Sequence, residues 1–458
     1  MRDRLVAACL ALAACNFAPA YERPTLPVAG QFEGAAQAGG LAAVDRGWRT
    51  MFGDARLQRL IELALANNRD LRIAALNIEV ARAQYRIERS ALAPAISGVG
   101  AATIAGNEDG VAPAASGLSS YRVGLGASYE LDLFGRVRNL KDAALEAYLA
   151  TVEARRAAHL ALVGQVVTEY LRQRAFEEQY ELAQRTEALV GEGLELTRRL
   201  FAAGQRSELD AQTAEAQLYA ARAEISRLDR QRVQSRNVLA TLIGQAVPTE
   251  LPAAQPLDAQ AIIADLPAGV PSEVLLRRPD VLAAEHTLRA ANANIGVARA
   301  AFFPSISLTA FAGVASATLG NLFSGGLAWS VSPSLSVPLF NYGRDRATLD
   351  VAKLRKLIEV ARYEQAIQGA FREVADALVA RATLEAQLAA QTSRAEAEQK
   401  RFRLSELRYK GGIESYQTVL LAQQDLYATQ QQLIELRLLR LTNLAGLYVA
   451  LGGGWRDR

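Results

Sequence analysis

The chain has 458 residues, half of them hydrophobic, with 51 Lys and Arg residues against 48 Asp and Glu residues. The formal net charge of +3 gives no general reason to expect binding to nucleic acid or to an anionic surface. The two histidines, His159 and His286, lie far apart in sequence, which excludes a histidine-rich metal site. Both cysteines fall within the first fifteen residues, so the rest of the chain has no disulfide framework.

The N-terminus is typical of a bacterial lipoprotein signal. A short charged head, residues 1–4, precedes an apolar run that ends in small residues, and Leu12-Ala13-Ala14-Cys15 matches a lipobox. Cys9 fits the same pattern, but it would leave an apolar core of only about four residues where about 7–15 are needed. We therefore expect residues 1–14 to be removed and Cys15 to be acylated. No metal and no cofactor other than this covalent lipid is predicted; an ordinary secretory signal with an incidental cysteine is the alternative.

The body of the chain contains one unit twice. Residues 67–102 and 271–313 share one layout, in which Asp70 lies as far before Pro94 as Asp280 lies before Pro304. Proline has no N–H and restricts the residue before it, so each of these prolines is predicted to mark a helix-to-strand junction. We predict a lipidated tether over residues 15–53, a first repeat over 54–244 and a second repeat over 272–458. Residues 245–271, which are rich in proline, are predicted to form an ordered crossover at mid-height.

Each repeat is predicted to contain a β-hairpin. Its strands cover about residues 95–105 and 120–134 in the first repeat, and about 305–315 and 327–340 in the second. Val123 and Leu125 share one strand face, whereas Arg122, Gly124 and Gly126 share the other. Strands of about ten residues with one apolar face are typical of a membrane β-barrel; a half-buried hairpin of a soluble protein is the alternative. After the N-terminus, no segment has the roughly 20 consecutive apolar residues of a transmembrane helix.

Very long helices follow each hairpin. Residues 137–201 and 349–409 contain no proline, and each predicted helix is about 90–95 Å long at 1.5 Å per residue. Such lengths favour a coiled-coil-like assembly. Each long helix ends in a glycine-containing turn, at residues 202–207 and 410–415, where Ser207 and Ser415 are placed to cap a returning helix.

Four strands per chain cannot close a barrel, and unpaired strand edges cannot face lipid. Either the strands lie outside a membrane, or several copies of the chain contribute to one barrel. The predicted lipid, the strand pattern and the helix lengths together favour the second option. The residues predict an oligomer without fixing its number of copies.

Two segments then suggest a family. Residues 266–313, LPAGVPSEVLLRRPDVLAAEHTLRAANANIGVARAAFFPSISLTAFAG, and residues 412–455, which begin GIESYQTVLLAQQDLY and end in GGGW, resemble the outer membrane factor family of the TolC superfamily. Within it, they are most similar to the OprM-like lipoprotein branch of RND-type tripartite efflux pumps. The resemblance runs from Cys15 through AYERP (residues 20–24) to the GGGW motif.

The resemblance implies a mainly α fold with a membrane β-barrel part. It implies a homotrimer in which a 12-stranded β-barrel is continued by a 12-helix periplasmic α-barrel. The function implied is a passive, non-enzymatic exit duct for small molecules in the bacterial outer membrane. The implied partners are a periplasmic adaptor protein, an inner-membrane RND transporter and outer membrane lipid, with no nucleic acid.

The resemblance also assigns candidate sites. The two turns, with Gly204, Ser207, Gly411, Gly412 and Ser415, are expected to form the tip that contacts the adaptor, although turn chemistry alone also requires such residues. Relatives have LLDAQ where residues 419–423 read VLLAQ, so Leu421 occupies the position of a carboxylate. We expect a periplasmic aperture that combines Leu421 with Asp210 from the first repeat.

Two alternatives to an efflux duct remain open at this level: a type I secretion exit duct for polypeptides, and a periplasmic coiled-coil scaffold without a pore. The sequence contains no phosphate-binding glycine loop, metal-ligand cluster or nucleophile motif, so no enzyme activity is predicted. His286 and the LRRPD stretch (residues 276–280) are interpreted as structural.

Overall fold

The computed structural model describes residues 16–29, 32, 47–104, 120–263 and 272–453. The predicted signal peptide and Cys15 lie outside the described residues. The fold is mainly helical, as predicted. Its helices are α1 (Trp48–Met51), α2 (Ala55–Asn67), α3 (Arg69–Ser90), α4 (Arg136–Ala202), α5 (Glu208–Ile243), α6 (Pro279–Ala300), α7 (Arg344–Lys410) and α8 (Tyr416–Ala450). Its strands are β1 (Ala95–Thr103), β2 (Ser120–Leu131), β3 (Ser305–Ser316) and β4 (Ala328–Ser336).

The chain divides into two compact units, each of which draws residues from both sequence repeats. The sheet unit comprises the described residues of Met1–Thr25, Leu76–Glu153 and Leu282–Gln365. The helical unit comprises those of Leu26–Ala75, Ala154–Val281 and Ala366–Arg458. The sequence repeats are therefore not separate compact domains.

The four strands form one antiparallel sheet in the order β1-β2-β3-β4. Both predicted hairpins are present, and a further pairing of β2 with β3 joins them, which the sequence pattern did not reveal. At the centre of this joint Gly124 lies opposite Gly313. A Cβ atom on Gly313 would lie 2.3 Å from the Val123 carbonyl oxygen and 2.5 Å from the Gly124 Cα. The two repeats are thus joined at a point where only glycine fits.

Two strands are shorter than predicted. The second strand of the first hairpin ends at Leu131 because the Asp132 carboxylate caps α4, accepting hydrogen bonds from the backbone N–H groups of Val137 (3.0 Å) and Arg138 (2.9 Å). β4 ends at Ser336, two residues before Pro338, which has no N–H to donate to the ladder.

The two helix-to-strand junctions use the same device. After α3, short turns bring Ala93 N–H to the Ser90 carbonyl at 3.0 Å, and Pro94 precedes β1. After α6, Phe303 N–H bonds to the Ala300 carbonyl at 3.0 Å, and Pro304 precedes β3. Each helix tightens and then stops at a residue that cannot continue it.

The core of the helical unit includes the start of the first repeat and part of the crossover. Asp54 caps α2, and its buried carboxylate also accepts hydrogen bonds from the Tyr170 hydroxyl (2.6 Å) and the Gln260 side-chain amide (3.0 Å). Burial and the Asp54 hydrogen bond raise the pKa of Tyr170, so its hydroxyl remains a donor. Among the described helices, none is both long enough and apolar enough to cross a membrane.

Candidate functional site

The turns that join α4 to α5 and α7 to α8 are built alike, and we call them together the helical tip (residues 202–208 and 410–416). Gly204 (φ 70°) and Gly412 (φ 74°) occupy matching places in the two repeats, and both adopt the left-handed conformation. In each turn the next residue returns its N–H to the long helix: Gln205 to Leu200 O, and Ile413 to Arg408 O, both at 2.9 Å. These are the helix C-terminal contacts that glycine permits.

The caps of the two returning helices differ. Ser207 forms a capping box with Asp210, in which each side chain accepts a hydrogen bond from the other residue's backbone N–H, at 3.2 and 3.3 Å. Ser415 caps α8 alone and accepts from Thr418 N–H at 3.4 Å. In place of a second capping box, Glu414 accepts hydrogen bonds from Arg408 (3.0 Å) and Thr418 (3.2 Å), which hold the pKa of its carboxyl below the ordinary value.

A small core ties the two turns together. It contains buried residues of all four long helices: Val190, Leu194, Ala214, Leu218, Tyr409, Tyr416 and Val419. The rings of Tyr409 and Tyr416 lie 5.6 Å apart, and the Arg206 guanidinium lies 4.8 Å from the centroid of Tyr409. The Arg206 guanidinium of the first turn therefore forms a cation–π contact with an aromatic ring at the end of α7.

The structure places the two predicted aperture residues at different levels. Asp210 is in the first turn of α5, and its repeat counterpart is Thr418. Leu421 lies three residues after Thr418 on α8, which is about 4.5 Å further along the helix axis at 1.5 Å per residue. Leu421 is half exposed, whereas Asp210 is engaged in the capping box. Burial, reinforced by the charges of Tyr409 and Asp210, raises the pKa of Tyr416.

Further along the helices from the tip, hydrogen bonds among three side chains link α5 to α8. The Tyr427 hydroxyl donates to Glu224 at 3.4 Å, and Arg227 binds the same carboxylate through two nitrogens at 2.6 and 2.7 Å. Burial, reinforced by the Glu224 charge, raises the pKa of Tyr427 to about 12. The Tyr427 hydroxyl thus keeps its proton at physiological pH and remains a hydrogen-bond donor.

Sequence reasoning missed two apolar side chains at the tip. Leu209 and Ile413 are 74% and 70% exposed, and both belong to or adjoin the turns. These two aliphatic groups are available for burial by a partner. Their signal in the sequence was an apolar residue two positions from each serine cap.

The register of the sheet sorts the side chains of all four strands onto two faces. One face, the apolar face, carries Ile96, Val123, Leu125, Ile306, Leu308, Trp329, Val331 and Leu335. The other, the polar face, carries hydroxyls such as Ser128, Ser307, Thr309, Ser332 and Ser334, together with Arg122 and Glu130. On the apolar face Ile96 and Trp329 are each 73% exposed. Large apolar side chains of this face are therefore exposed.

The N-terminal residues 16–25, which we call the strap, run along α6. Phe17 stacks on Phe303 with ring centroids 4.5 Å apart, beside the Pro304 junction. The strap's backbone carbonyls accept hydrogen bonds from α6: Phe17 O from Arg299 (3.0 Å) and Pro19 O from Asn292 (2.8 Å). This part of the predicted tether is therefore packed against α6.

A cluster of charged side chains around Glu285, in the N-terminal half of α6, holds the other end of the strap. The Glu285 side chain is only 4% exposed and forms salt bridges with Arg23 (2.8 Å) and Arg289 (2.7 Å). Tyr21 donates to the same carboxylate at 3.2 Å. Burial acts to raise the pKa of Glu285, but the hydrogen bonds from Arg289 and Arg23 outweigh it and hold the pKa below its ordinary value.

The two residues interpreted as structural have partners. His286 lies 2.6 Å from the Glu146 carboxylate. Arg278 of LRRPD pairs with Asp280 (2.7 Å) and donates to the Ala450 carbonyl (2.8 Å), which caps the end of α8. Among the residues that the structure describes, no group of three or more His, Cys, Asp or Glu side chains is arranged to hold a metal ion.

The fold thus combines two helix-to-strand repeats with an exposed apolar sheet face and capped helical turns. Residues 60–245 and 270–453 each match the family model described as outer membrane efflux protein. The chain belongs to this family, whose members are efflux channel proteins of the outer membrane and not enzymes.

Individual relatives match nearly the whole chain. It is 46% identical to the probable efflux pump outer membrane protein TtgC of Pseudomonas putida, with 98% of this chain and 94% of that protein covered. It is 41% identical to the cation efflux system protein CusC of Escherichia coli, with 98% and 97% covered. Among solved structures, the open state of the Neisseria gonorrhoeae MtrE outer membrane channel matches with a TM-score of 0.88 and 44% identity, covering 96% of this chain and 99% of that one.

Proposed function

We propose that three copies of this chain form the passive exit duct of a tripartite efflux pump, through which small molecules leave the cell. The observation that carries the membrane part is the exposed apolar face of the sheet, which water does not stabilise and lipid does. The relatives named as toluene and antibiotic efflux pump proteins favour small molecules over polypeptides as cargo.

The open edges of the sheet support a ring of copies. β1 and β4 each have one unpaired edge, and exposed edges cannot remain in lipid. The helices next to these edges carry exposed apolar stripes: Leu76, Val80 and Ile87 on α3, and Val351, Leu354 and Ile358 on α7. Because the two stripes lie at opposite ends of the strand order, β1 and α3 of one copy meet β4 and α7 of the next. Such head-to-tail contacts close into rings, and three four-stranded sheets give a 12-stranded barrel continued by helices.

The helical tip is the proposed contact for a periplasmic adaptor protein, which in turn joins the duct to an inner-membrane transporter of the RND class. Gly204, Ser207, Gly411, Gly412 and Ser415 set the shape of the two turns. Ile413 and Leu209 add the exposed apolar groups that a partner would bury. Photocrosslinkers at position 413 should capture the adaptor, whereas a crosslinker at the exposed Arg185, higher on α4, should not; equal capture at both would contradict a tip contact.

Asp210 and Leu421 are proposed to line the periplasmic aperture, as two rings at different depths. Because Asp210 also completes a capping box, Asp210→Ala would change the helix start as well as the charge. Asp210→Asn keeps an acceptor for Ser207 N–H and removes only the charge. In planar bilayers Asp210→Asn should reduce the preference for cations. Leu421→Ala should raise the conductance and leave the preference for cations unchanged. Unchanged behaviour in both variants would remove these residues from the aperture.

Cys15 is proposed to carry the lipid anchor. The N-terminal end of the strap lies beside the aromatic residues of the junction, Phe303 and Phe134. A lipid on Cys15 would therefore begin at the level where the strands begin. Mass spectrometry of the mature N-terminus tests this directly, and Cys15→Ser should yield an unacylated chain. A mature protein that begins elsewhere would refute the anchor.

The decisive experiment for the function combines deletion with reconstitution. Deletion of the gene should sensitise cells to several small compounds, and the purified protein should form trimers that conduct ions in planar bilayers. An oligomer without conductance, in both the parent protein and the Leu421→Ala variant, would favour a scaffold and overturn the duct. Loss of a secreted polypeptide with unchanged drug susceptibility would favour a type I secretion duct.

A further inference from the structure

The polar face of the sheet carries almost no charge, and the charge it carries is unbalanced. In strands β1–β4 the only side chains ionised at neutral pH are Arg122 and Glu130, both on this face. Glu130 is neutralised by Arg136, which binds its carboxylate through two nitrogens, one at 2.8 Å. Among the described residues, no carboxylate forms an ion pair with Arg122. Within the part of the sheet that the structure describes, one positive charge is therefore left without a carboxylate partner on the polar face.

Arg122 is held in place by an aromatic ring and not by an acid. Its guanidinium carbon lies 5.8 Å from the centroid of the Phe311 ring. That ring lies across Gly313, since its ζ carbon is 3.0 Å from the position that a Cβ atom on Gly313 would take. The glycine pair at the β2–β3 joint thus leaves room for Phe311 to lie flat under Arg122. A cation–π contact orients a guanidinium without reducing its charge.

We propose that Arg122 is a selectivity residue of the duct: three copies form a positive ring inside the strand part that favours anionic over cationic solutes. This inference rests on the proposed trimeric duct, in which the polar face encloses the pore. Twelve strands about 4.8 Å apart and tilted by about 40° give a backbone radius of about 12 Å. A side chain that projects inward from this wall is within about one Debye length of the axis at physiological salt, where screening extends over about 8 Å.

The charge has a defined position along the duct. Arg122 pairs with Ala101 and Ala315, towards the end of the sheet remote from the helices, whereas the neutralised Glu130 lies near the helix end. In the proposed duct the ring of Arg122 side chains therefore lies towards the exit end of the strands. Solutes with an acidic group and an aromatic ring suit the Arg122–Phe311 pair best, since one part pairs with the guanidinium and the other stacks on exposed ring surface.

Reversal potentials in a salt gradient test the inference. All samples carry Asp210→Asn, so that the carboxylate proposed for the aperture does not contribute. At about 10 mM salt, where the screening length is about 30 Å, Arg122→Gln should lower the anion-to-cation permeability ratio by about 2–5-fold. Arg122→Lys, which keeps the charge, should retain the ratio, and the difference should vanish at about 1 M salt. Phe311→Leu should weaken the preference only in part, because Phe311 positions the guanidinium.

The outcomes separate the inference from the proposed function. Conducting channels in which Arg122→Gln leaves the ratio unchanged would overturn the role of Arg122 and leave the duct intact. Absence of conductance in every sample would overturn the duct and this inference with it. A shift in Arg122→Gln that Arg122→Lys reproduces would show that packing, and not charge, is responsible, which also refutes the proposal.

Discussion

The joint between the two repeats is the most sharply testable feature of the sheet. In Gly313→Ala the added Cβ atom would lie 2.3 Å from the Val123 carbonyl oxygen and 2.5 Å from the Gly124 Cα. An ordinary contact needs about 1 Å more, and β2 and β3 have to separate by that amount because the neighbouring atoms are backbone. Overpacking costs about 1–3 kcal/mol, and each weakened ladder hydrogen bond adds about 1 kcal/mol. We expect a loss of about 2–4 kcal/mol per chain.

Glycines elsewhere in the same sheet provide the control. A Cβ atom on Gly98 meets nothing within 4 Å, so Gly98→Ala should leave stability unchanged. The assay is the temperature at which the purified oligomer dissociates on a gel. At about 2–4 °C per kcal/mol for a unit of this size, Gly313→Ala should lower that temperature by about 5–15 °C. If Gly313→Ala and Gly98→Ala behave alike, β2 and β3 do not approach as closely as described and the reasoning fails.

Three further predictions concern the tip and the strap. Gly412→Ala forces a side chain into the left-handed region (φ 74°) and should cost about 1 kcal/mol in urea unfolding, whereas the neighbouring Gly411→Ala should be close to neutral; equal costs would contradict the turn geometry. Ser207→Ala removes the capping box and should destabilise by about 1 kcal/mol, with faster amide hydrogen exchange confined to the first turn of α5. Glu285→Gln should release the strap and expose Tyr21 to chymotrypsin, whereas Glu22→Gln, on the exposed side of the strap, should not. Because the pKa of Glu285 is lowered on folding, its contribution to stability is complete above the unfolded carboxyl pKa and is lost as the pH falls through the folded value. The unmodified strap should therefore be released only in acid, where pepsin should cleave it; release at neutral pH would contradict the cluster.

Local patterns determined much of the fold in advance. Pro94 and Pro304 marked where helices end and strands begin, because a residue without an N–H group cannot donate the hydrogen bond that continues a helix. The turns at residues 202–207 and 410–415 were visible as glycine followed by a serine cap, since these residue types satisfy helix ends with contacts a few residues away. Alternation along residues 121–131 assigned the two strand faces correctly for the same reason: side chains alternate along a strand whatever it pairs with.

What the sequence did not reveal depends on contacts between distant segments. The pairing of β2 with β3 joins residues almost two hundred positions apart, and a strand pattern is compatible with more than one neighbour. The residues of the strap were predicted only as part of a lipidated tether, because their contacts lie with Glu285, Asn292 and Arg299 on α6, far away in the sequence. Asp210 was predicted as an aperture residue, and its capping box with Ser207 was not predicted.

The sequence by itself determined the repeat, the helix and strand types and their order along the chain, because these follow from backbone chemistry within a few residues. Only the tertiary structure decided which strands meet, where two of the strands end, and that Arg122 has no carboxylate partner among the described residues. Those outcomes depend on distances between groups far apart in the chain. An arginine beside a carboxylate and an arginine above a phenyl ring look alike in the sequence. Both keep their charge, but the carboxylate balances the first, whereas the charge of the second remains available to a solute.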